Sequence, residues 1–469
     1  MIFPTIQFAI FFAVVLTANW LLMPYPRRWK VFMLSASYFF YGSWDWRFLG
    51  LLAFTTIVDH TVGGAIHRAS DPHRRRLLLI LGVVVSLSVV AYFKYYDFFA
   101  SSLINLFRPL GIDLPLPILD MVLPVGISFF TFQSLSYTID IFRRKLEPVP
   151  LLDFAVFVSF FPHLVAGPIV RGSEFLPQLK ERHDPRRVQG AAAFLLIGAG
   201  LFKKVVVANT LATSIVDPVF ASPQNFSALE VLTGTYAYAV QIFADFSGYT
   251  DIAIGLALLL GFRFPQNFDR PYTATSLQDF WRRWHMTLSR FLRDYLYVPL
   301  GGNRNGRAAT YRNLMLTMVI GGLWHGAAWT FVLWGALHGV GLSIERWWNE
   351  RQAVPRTETS VGRAAKQILT FHVVCLGWIL FRSDSVATAG TILGRLGEWG
   401  PAPAVTPTVL LLIAGTLAVQ YLPTDFRLRV RVAFSHLRPV AMAATLGALL
   451  LVVDALGPEG VAPFIYFQF

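Results

Sequence analysis

Apolar stretches long enough to cross a lipid bilayer recur along this 469-residue chain from its first residues to its last. A hydrocarbon core roughly 30 Å thick takes about 20 apolar residues as a helix, and only helices or closed barrels satisfy their backbone polar groups without water. Ile6 to Met23, Phe48 to Ile66, Leu77 to Tyr96, Met121 to Phe142, Val188 to Ala208, Ile368 to Phe381, Val409 to Leu422 and Pro439 to Leu456 each read as such a span. Hydrophobic residues make up 55% of the chain and charged residues 14%. An ordinary soluble domain carries about 25% charged residues, so this composition requires lipid as its solvent. We therefore expect an all-α, multi-spanning membrane fold in a single embedded domain over residues 1–469, with 229–348 as its core. No basic region precedes the run from Ile6 and no small-residue cleavage motif follows it, so it reads as a retained first span.

Two stretches are too long for one span and are interrupted by polar residues or glycine. Leu229 to Phe262 carries Asp245, Gly248 and Asp251 and reads as a broken or paired helix. Asn313 to Ile344 is similar, with Gly321, Gly322, Gly326, Gly335 and Gly339 loosening the helix and letting backbones approach. Val31 to Tyr41 and Phe154 to Val170 are shorter and read as re-entrant or tilted. The segment Arg263 to Arg312 is too polar to span and too aromatic for a free loop. Irregular backbone at membrane depth needs protein or a water-filled cavity around it, so this segment is expected to line an entrance from the cytoplasm.

The net charge of +13 gathers in connections: Arg27, Arg28 and Lys30; Arg68 and Arg74 to Arg76; Arg143 to Lys145; Arg182, Arg186 and Arg187; Arg427, Arg429 and Arg431. Such loop charge marks the cytoplasmic face and does not call for nucleic acid. Counting crossings from these loops gives about eleven helices that cross or enter the membrane and puts both termini outside. The single cysteine, Cys375, excludes intrachain disulfides and cysteine-based metal sites.

A polar group inside a span demands a reason, since a central charge costs roughly 2.5 to 3.5 kcal/mol. Histidine is the least costly, because burial leaves the imidazole neutral, and a neutral imidazole can serve as a general base. His325 sits in Gly321-Gly322-Leu323-Trp324-His325-Gly326 within an apolar run. A core histidine bonded to a neighbouring carbonyl explains it as well as catalysis does; the glycines, which clear space around the ring, favour catalysis. His285, in Phe280-Trp281-Arg282-Arg283-Trp284-His285, reads on its own as an interfacial anchor.

The two histidines and their surroundings resemble the membrane-bound O-acyltransferase family. The blocks are Gln241-Ile242-Phe243-Ala244-Asp245-Phe246-Ser247-Gly248-Tyr249; Phe264-Pro265-Gln266-Asn267-Phe268 with Arg270-Pro271-Tyr272; the run from Phe280 to His285; Arg293-Asp294-Tyr295-Leu296-Tyr297-Val298-Pro299-Leu300-Gly301-Gly302-Asn303; the run from Gly321 to Gly326; and Gly377-Trp378-Ile379-Leu380-Phe381-Arg382. Within the family the chain is similar to a bacterial branch that O-acetylates alginate, with peptidoglycan and cellulose relatives, and the block from Tyr297 to Asn303 favours it over the branch that transfers D-alanine to teichoic acid.

The resemblance implies that His325 is the catalytic intramembrane histidine and His285 its upstream partner. We expect His325 to deprotonate the attacking hydroxyl and His285 to polarise the thioester carbonyl or position the donor. Trp281, Trp284 and Trp324 are expected to wall a tunnel between them, although ordinary helix packing also explains such rings. Asn267 joins them as a substrate-binding candidate. Arg282 and Arg283, with Arg290 and Arg293, suit an anionic donor, coenzyme A or an acidic carrier protein, and suit surface anchoring nearly as well. Asp245 and Asp251 read as structural carboxylates that need a cationic or amide partner. Ser247 lies outside any nucleophile elbow.

Near the C-terminus, Tyr466 in Pro463-Phe464-Ile465-Tyr466-Phe467 carries an acylable phenol and reads either as an acyl relay or as an interfacial aromatic anchor. The other histidines receive no catalytic role, and only His338 follows His325 closely enough to share its surroundings. No metal-ligand spacing accompanies them, so no metal and no bound cofactor are expected. The reading is a multi-pass bacterial inner-membrane O-acyltransferase. It moves an acyl group, acetyl by its branch, from a cytoplasmic thioester toward hydroxyls of an exported polysaccharide such as alginate, and an external or periplasmic acetyltransferase partner completes the transfer. A transporter would be expected to show inverted repeats, and none is found; a scaffold would survive loss of His325.

Overall fold

A computed structural model describes residues 1–181, 183–351, 359–458, 460, 464 and 465. Every regular element among them is a helix. Six helices are long and apolar enough to cross a membrane: Trp46–Arg68, Pro72–Leu110, Gly190–Ala221, Ala228–Leu259, Ser360–Arg382 and Pro439–Leu456. A seventh crossing arises if Pro407–Gln420 and Asp425–Ser435, bent by 94°, form one span. The remaining expected crossings fall on shorter or more polar helices such as Ile6–Leu22, Ile127–Phe142 and Gly306–His325.

Helix starts follow local chemistry. The Asp71 carboxylate accepts from the amides of His73 and Arg74, with Pro72 in the first turn. Ser276 and Thr359 do the same at Leu277–Arg283 and Ser360–Arg382.

The residues separate into two compact units, 1–188 with 256–264, and 189–255 with 265–469. The first is held by aromatic packing, in which Phe161 sits among Phe8, Phe11 and Phe40. His163 is fully buried, donates through Nε2 to the Phe157 carbonyl at 2.7 Å, and is ringed by Phe157, Phe160, Phe175 and Phe264. His60 likewise reaches the Val149 carbonyl at 2.9 Å. Both are core histidines held by a neighbouring backbone carbonyl. Residues Asp153 to Val170 are buried without interruption, as Leu151–Ser159, a break at Phe160, and Phe161–Leu164.

The expected break between Leu229 and Phe262 is absent: Ala228–Leu259, whose residues 228–255 belong to the second unit, is one continuous and largely buried helix of 32 residues. Its polar interruptions are paired instead of breaking it. Lys204 holds Asp245, and Lys203 reaches Asp251 at 2.5 Å and Ser247 at 3.0 Å. Both lysines sit in the π-helical turn Phe202–Ala208, which lets neighbours in sequence serve one partner helix. At Gly248 a Cβ would stand 2.8 Å from the Gly200 carbonyl oxygen, so this glycine is needed for close helix approach. The other long stretch does break, into Gly306–His325 and Trp329–Arg351. These two helices pack backbone to backbone, because a Cβ on Gly322 would meet the Phe331 carbonyl at 2.2 Å and one on Gly335 the Met318 carbonyl at 2.4 Å.

Candidate active site

His325 is the last residue of its helix, and the chain leaves it through Gly326 in extended conformation. The ring is buried, 3% exposed, between Trp324 at 4.9 Å, Trp334 at 5.1 Å and Phe381 at 5.1 Å between centroids. The flanking glycines act differently from the expectation that they clear space around the imidazole. Gly322 and Gly326 make room for Phe331, whose ring would lie 2.0 Å from a Cβ at Gly326, and only Gly321 faces the cavity beside His325.

His285 precedes the short Met286–Leu292 helix with left-handed backbone, φ 40° and ψ 54°. That conformation costs a non-glycine residue on the order of 1–3 kcal/mol and persists only where surrounding contacts hold it. Here Asn267 holds it. Its backbone carbonyl accepts the Met286 amide at 2.9 Å, and its side-chain oxygen accepts from His285 Nδ1 at 3.1 Å, the Thr287 amide at 3.2 Å and the Thr287 hydroxyl at 2.9 Å. The two imidazoles lie 6.4 Å apart between centroids, with Trp324 against both. Two blocks far apart in sequence thus converge on one buried pair.

A cavity of about 850 Å³ reaches His325. Trp281, Arg282, Arg290, Arg293 and Trp334 line it with Glu345. Among the expected binding residues, Trp281 and Arg282 take their places there. Trp324 packs between the histidines. The others are engaged elsewhere. Arg283 is bound to Asp279 at 2.8 Å, one helical turn back. Trp284 is buried in a cluster with Phe268, Tyr272, Phe280 and Trp378, so it packs the core and is not part of that cavity's lining. Asn267 serves His285 directly. Tyr466 lies outside the described residues. The two residues before it do not: the Ile465 amide donates to Asp245 at 2.9 Å, and Phe464 packs on Phe246 and Tyr249. Phe246 in turn stands edge-on to His285 at 4.6 Å.

Trp334 and His338 escaped the sequence reading as site residues. His338 is fully buried, packs against Trp281 and Trp334, and has neither ring nitrogen bonded among the described residues. Its spacing from His325 was the available signal; for Trp334 the signal was hidden, since the helix break between them destroys the helical register. Phe381 belonged to a quoted block, but nothing local tied it to a histidine. No cluster of three metal-ligating side chains occurs among the described residues.

The family described as membrane-bound O-acyltransferase matches residues 118–383. A protein of Pseudomonas putida named "Probable alginate O-acetylase AlgI" is 38% identical over 473 aligned positions, covering 94% of each chain. Its namesake in Pseudomonas aeruginosa is 42% identical over 404 positions, 85% of this chain and 76% of the relative. A peptidoglycan O-acetyltransferase of Helicobacter pylori is 38% identical over 403 positions, 80% of this chain and 74% of the relative.

Proposed function

This chain belongs to the membrane-bound O-acyltransferase family and is a multi-pass membrane O-acyltransferase, and from that premise we propose that it passes an acetyl group from a cytoplasmic thioester across the bacterial inner membrane toward hydroxyls of an exported polysaccharide such as alginate. The observation that carries this reading is the buried His285–His325 pair, 6.4 Å between centroids, of which His325 lines a cavity that also takes in Arg282, Arg290 and Arg293. Arg282 and Arg290, with Arg293, which also pairs with Asp294 at 2.7 Å, suit the phosphates of coenzyme A or an acidic carrier. The names borne by its relatives support acetyl as the group and a cell-envelope polymer as the destination.

The chemistry asks little beyond placement. A hydroxyl oxygen attacks the thioester carbonyl carbon while an imidazole takes the hydroxyl proton; the carbon–sulfur bond then breaks, and the imidazolium returns that proton to the leaving thiolate. Burial of His325 among Trp324, Trp334 and Phe381, and of His285 against Phe246 and Trp324, keeps water from competing for the acyl group. Tyr466 is the proposed first acceptor, and an external acetyltransferase takes the group from its ester, with both chain termini outside. The docking of Phe464 and Ile465 beside Phe246, which touches His285, supports that role.

Incubating the purified protein with acetyl-labelled coenzyme A tests donor and relay together. Label is expected on Tyr466 and absent from Tyr466→Phe. Unlabelled protein from acetyl-CoA, with label arriving from a D-alanyl carrier instead, would reassign the group, and undiminished polymer acetylation by Tyr466→Phe would remove the relay.

A further inference from the structure

The contacts of Asn267 settle where the hydrogen of His285 resides. Asn267, His285 and Thr287 are each 1% exposed or less, so no bulk water competes for their polar atoms. A backbone amide can only donate, so the Asn267 atom that meets the Thr287 amide at 3.2 Å is its carboxamide oxygen, which can only accept. His285 Nδ1, 3.1 Å from that same oxygen, must therefore carry a hydrogen. A neutral imidazole has one N–H, so the lone pair lies on Nε2. Among the described residues that Nε2 has no hydrogen-bond partner. The rings around it are Phe246, Trp324 and His325.

We propose that Asn267 is a positioning residue that fixes His285 as the proton acceptor of the pair. A nitrogen without hydrogen cannot polarise a carbonyl oxygen, so His285 takes the base role expected of His325, and the carbonyl-polarising role expected of His285 passes to His325. The inference rests on the acyl-transfer reading only for the identity of the proton, which belongs to the attacking hydroxyl. It moves to His285 Nε2 as the new carbon–oxygen bond forms, and leaves with the thiolate when the carbon–sulfur bond breaks. The left-handed backbone at His285 fits this role: the Asn267 carbonyl and carboxamide together hold a main-chain conformation that turns Nδ1 onto the amide.

The alternative is that Asn267 merely caps the Met286–Leu292 helix. Asn267→Asp separates the two. A carboxylate caps as well as a carboxamide and accepts from the same donors, so a capping role predicts wild-type folding and an unchanged pH–rate profile. A positioning role predicts that the new negative charge on Nδ1–H favours the imidazolium, so the base form is lost at a higher pH and the acid limb of acyl transfer moves up by about one unit or more. The titratable groups on the helices packed against His285 include His325 on Gly306–His325, and Tyr249 and the Lys204-paired Asp245 on Ala228–Leu259, and all are common to both proteins. An acid limb within experimental error of wild type would overturn the proposal.

A second measurement does not depend on activity. Solid-state NMR of the ¹⁵N-histidine-labelled protein in lipid, with the His285 signals assigned by their loss in His285→Gln, should show Nδ1 protonated and Nε2 bare at neutral pH. A protonated Nε2 would overturn the proposal even if acyl transfer proceeds. The expected tautomer in a protein that transfers no acetyl would leave Asn267 in its place and reject the acyl-transfer reading instead.

Discussion

The helix Ala228–Leu259 and the segment 306–351 carry the same kind of sequence, an apolar run longer than one span, interrupted by polar side chains or by glycine. The first stays whole and the second divides after His325. In the first, the interruptions are carboxylates, and Lys203 and Lys204 reach them from a neighbouring helix of the same unit. A paired side chain leaves the backbone ladder intact. In the second, the interruption lies in the backbone itself: Gly326 adopts extended conformation, and the chain returns against its own helix at the glycines that admit Phe331. A polar residue therefore breaks a buried helix only when it lacks a partner, whereas glycine allows a break wherever a close return path is available.

The largest expected effect falls on the broken segment, because its break delivers His325. His325→Ala should lower acyl transfer by roughly 10²- to 10⁴-fold while the detergent-solubilised protein unfolds near the wild-type midpoint. Activity within a few-fold of wild type would make the break a packing device alone. For the unbroken helix, Lys204→Met strands a buried carboxylate and should cost about 3–5 kcal/mol in denaturant unfolding, with Lys204→Met/Asp245→Leu recovering most of it. If the double variant is no more stable than the single one, the pair is not what keeps the helix whole. The smallest effects come from adding one methyl group on each side of the comparison. Gly322→Ala places a Cβ 2.2 Å from a carbonyl oxygen, and Gly248→Ala places one 2.8 Å away. The first should cost about 1–3 kcal/mol and shift His325 enough to depress activity; the second should cost less and leave turnover close to wild type. Equal losses of turnover in both would mean that helix approach anywhere in the unit controls the site.

Much of this was legible in the sequence. The position of most apolar runs, the helical class of the described residues, and the close glycine packing of 306–351 follow from residue type and order, while run ends such as Leu77 to Tyr96, which lies inside Pro72–Leu110, do not. The six separated blocks pointed to the family and to both histidines. Three expectations meet other contacts in the structure for one reason, that the partner's place is set by the fold. Asp245 and Asp251 were read as carboxylates that need a partner, yet the helix was expected to be broken or paired there, because Lys203 and Lys204, more than forty residues earlier, could not be assigned to them. Trp284 was read as a tunnel wall because Trp378, which covers it at 4.9 Å, is remote. Asn267 was read as a substrate ligand because its spacing from His285 gives no hint of a left-handed turn bringing the two together.

The sequence by itself determined the solvent, the helical class and the presence of an imidazole at membrane depth, since these depend on composition, on period and on the cost of burying a polar group. The tertiary structure decided which side chains meet His285 and His325, where the cavity lies, and which nitrogen of His285 carries the hydrogen. A proton's location depends on the donors and acceptors within about 3 Å, and in a buried site those are supplied by whatever segments the fold brings there.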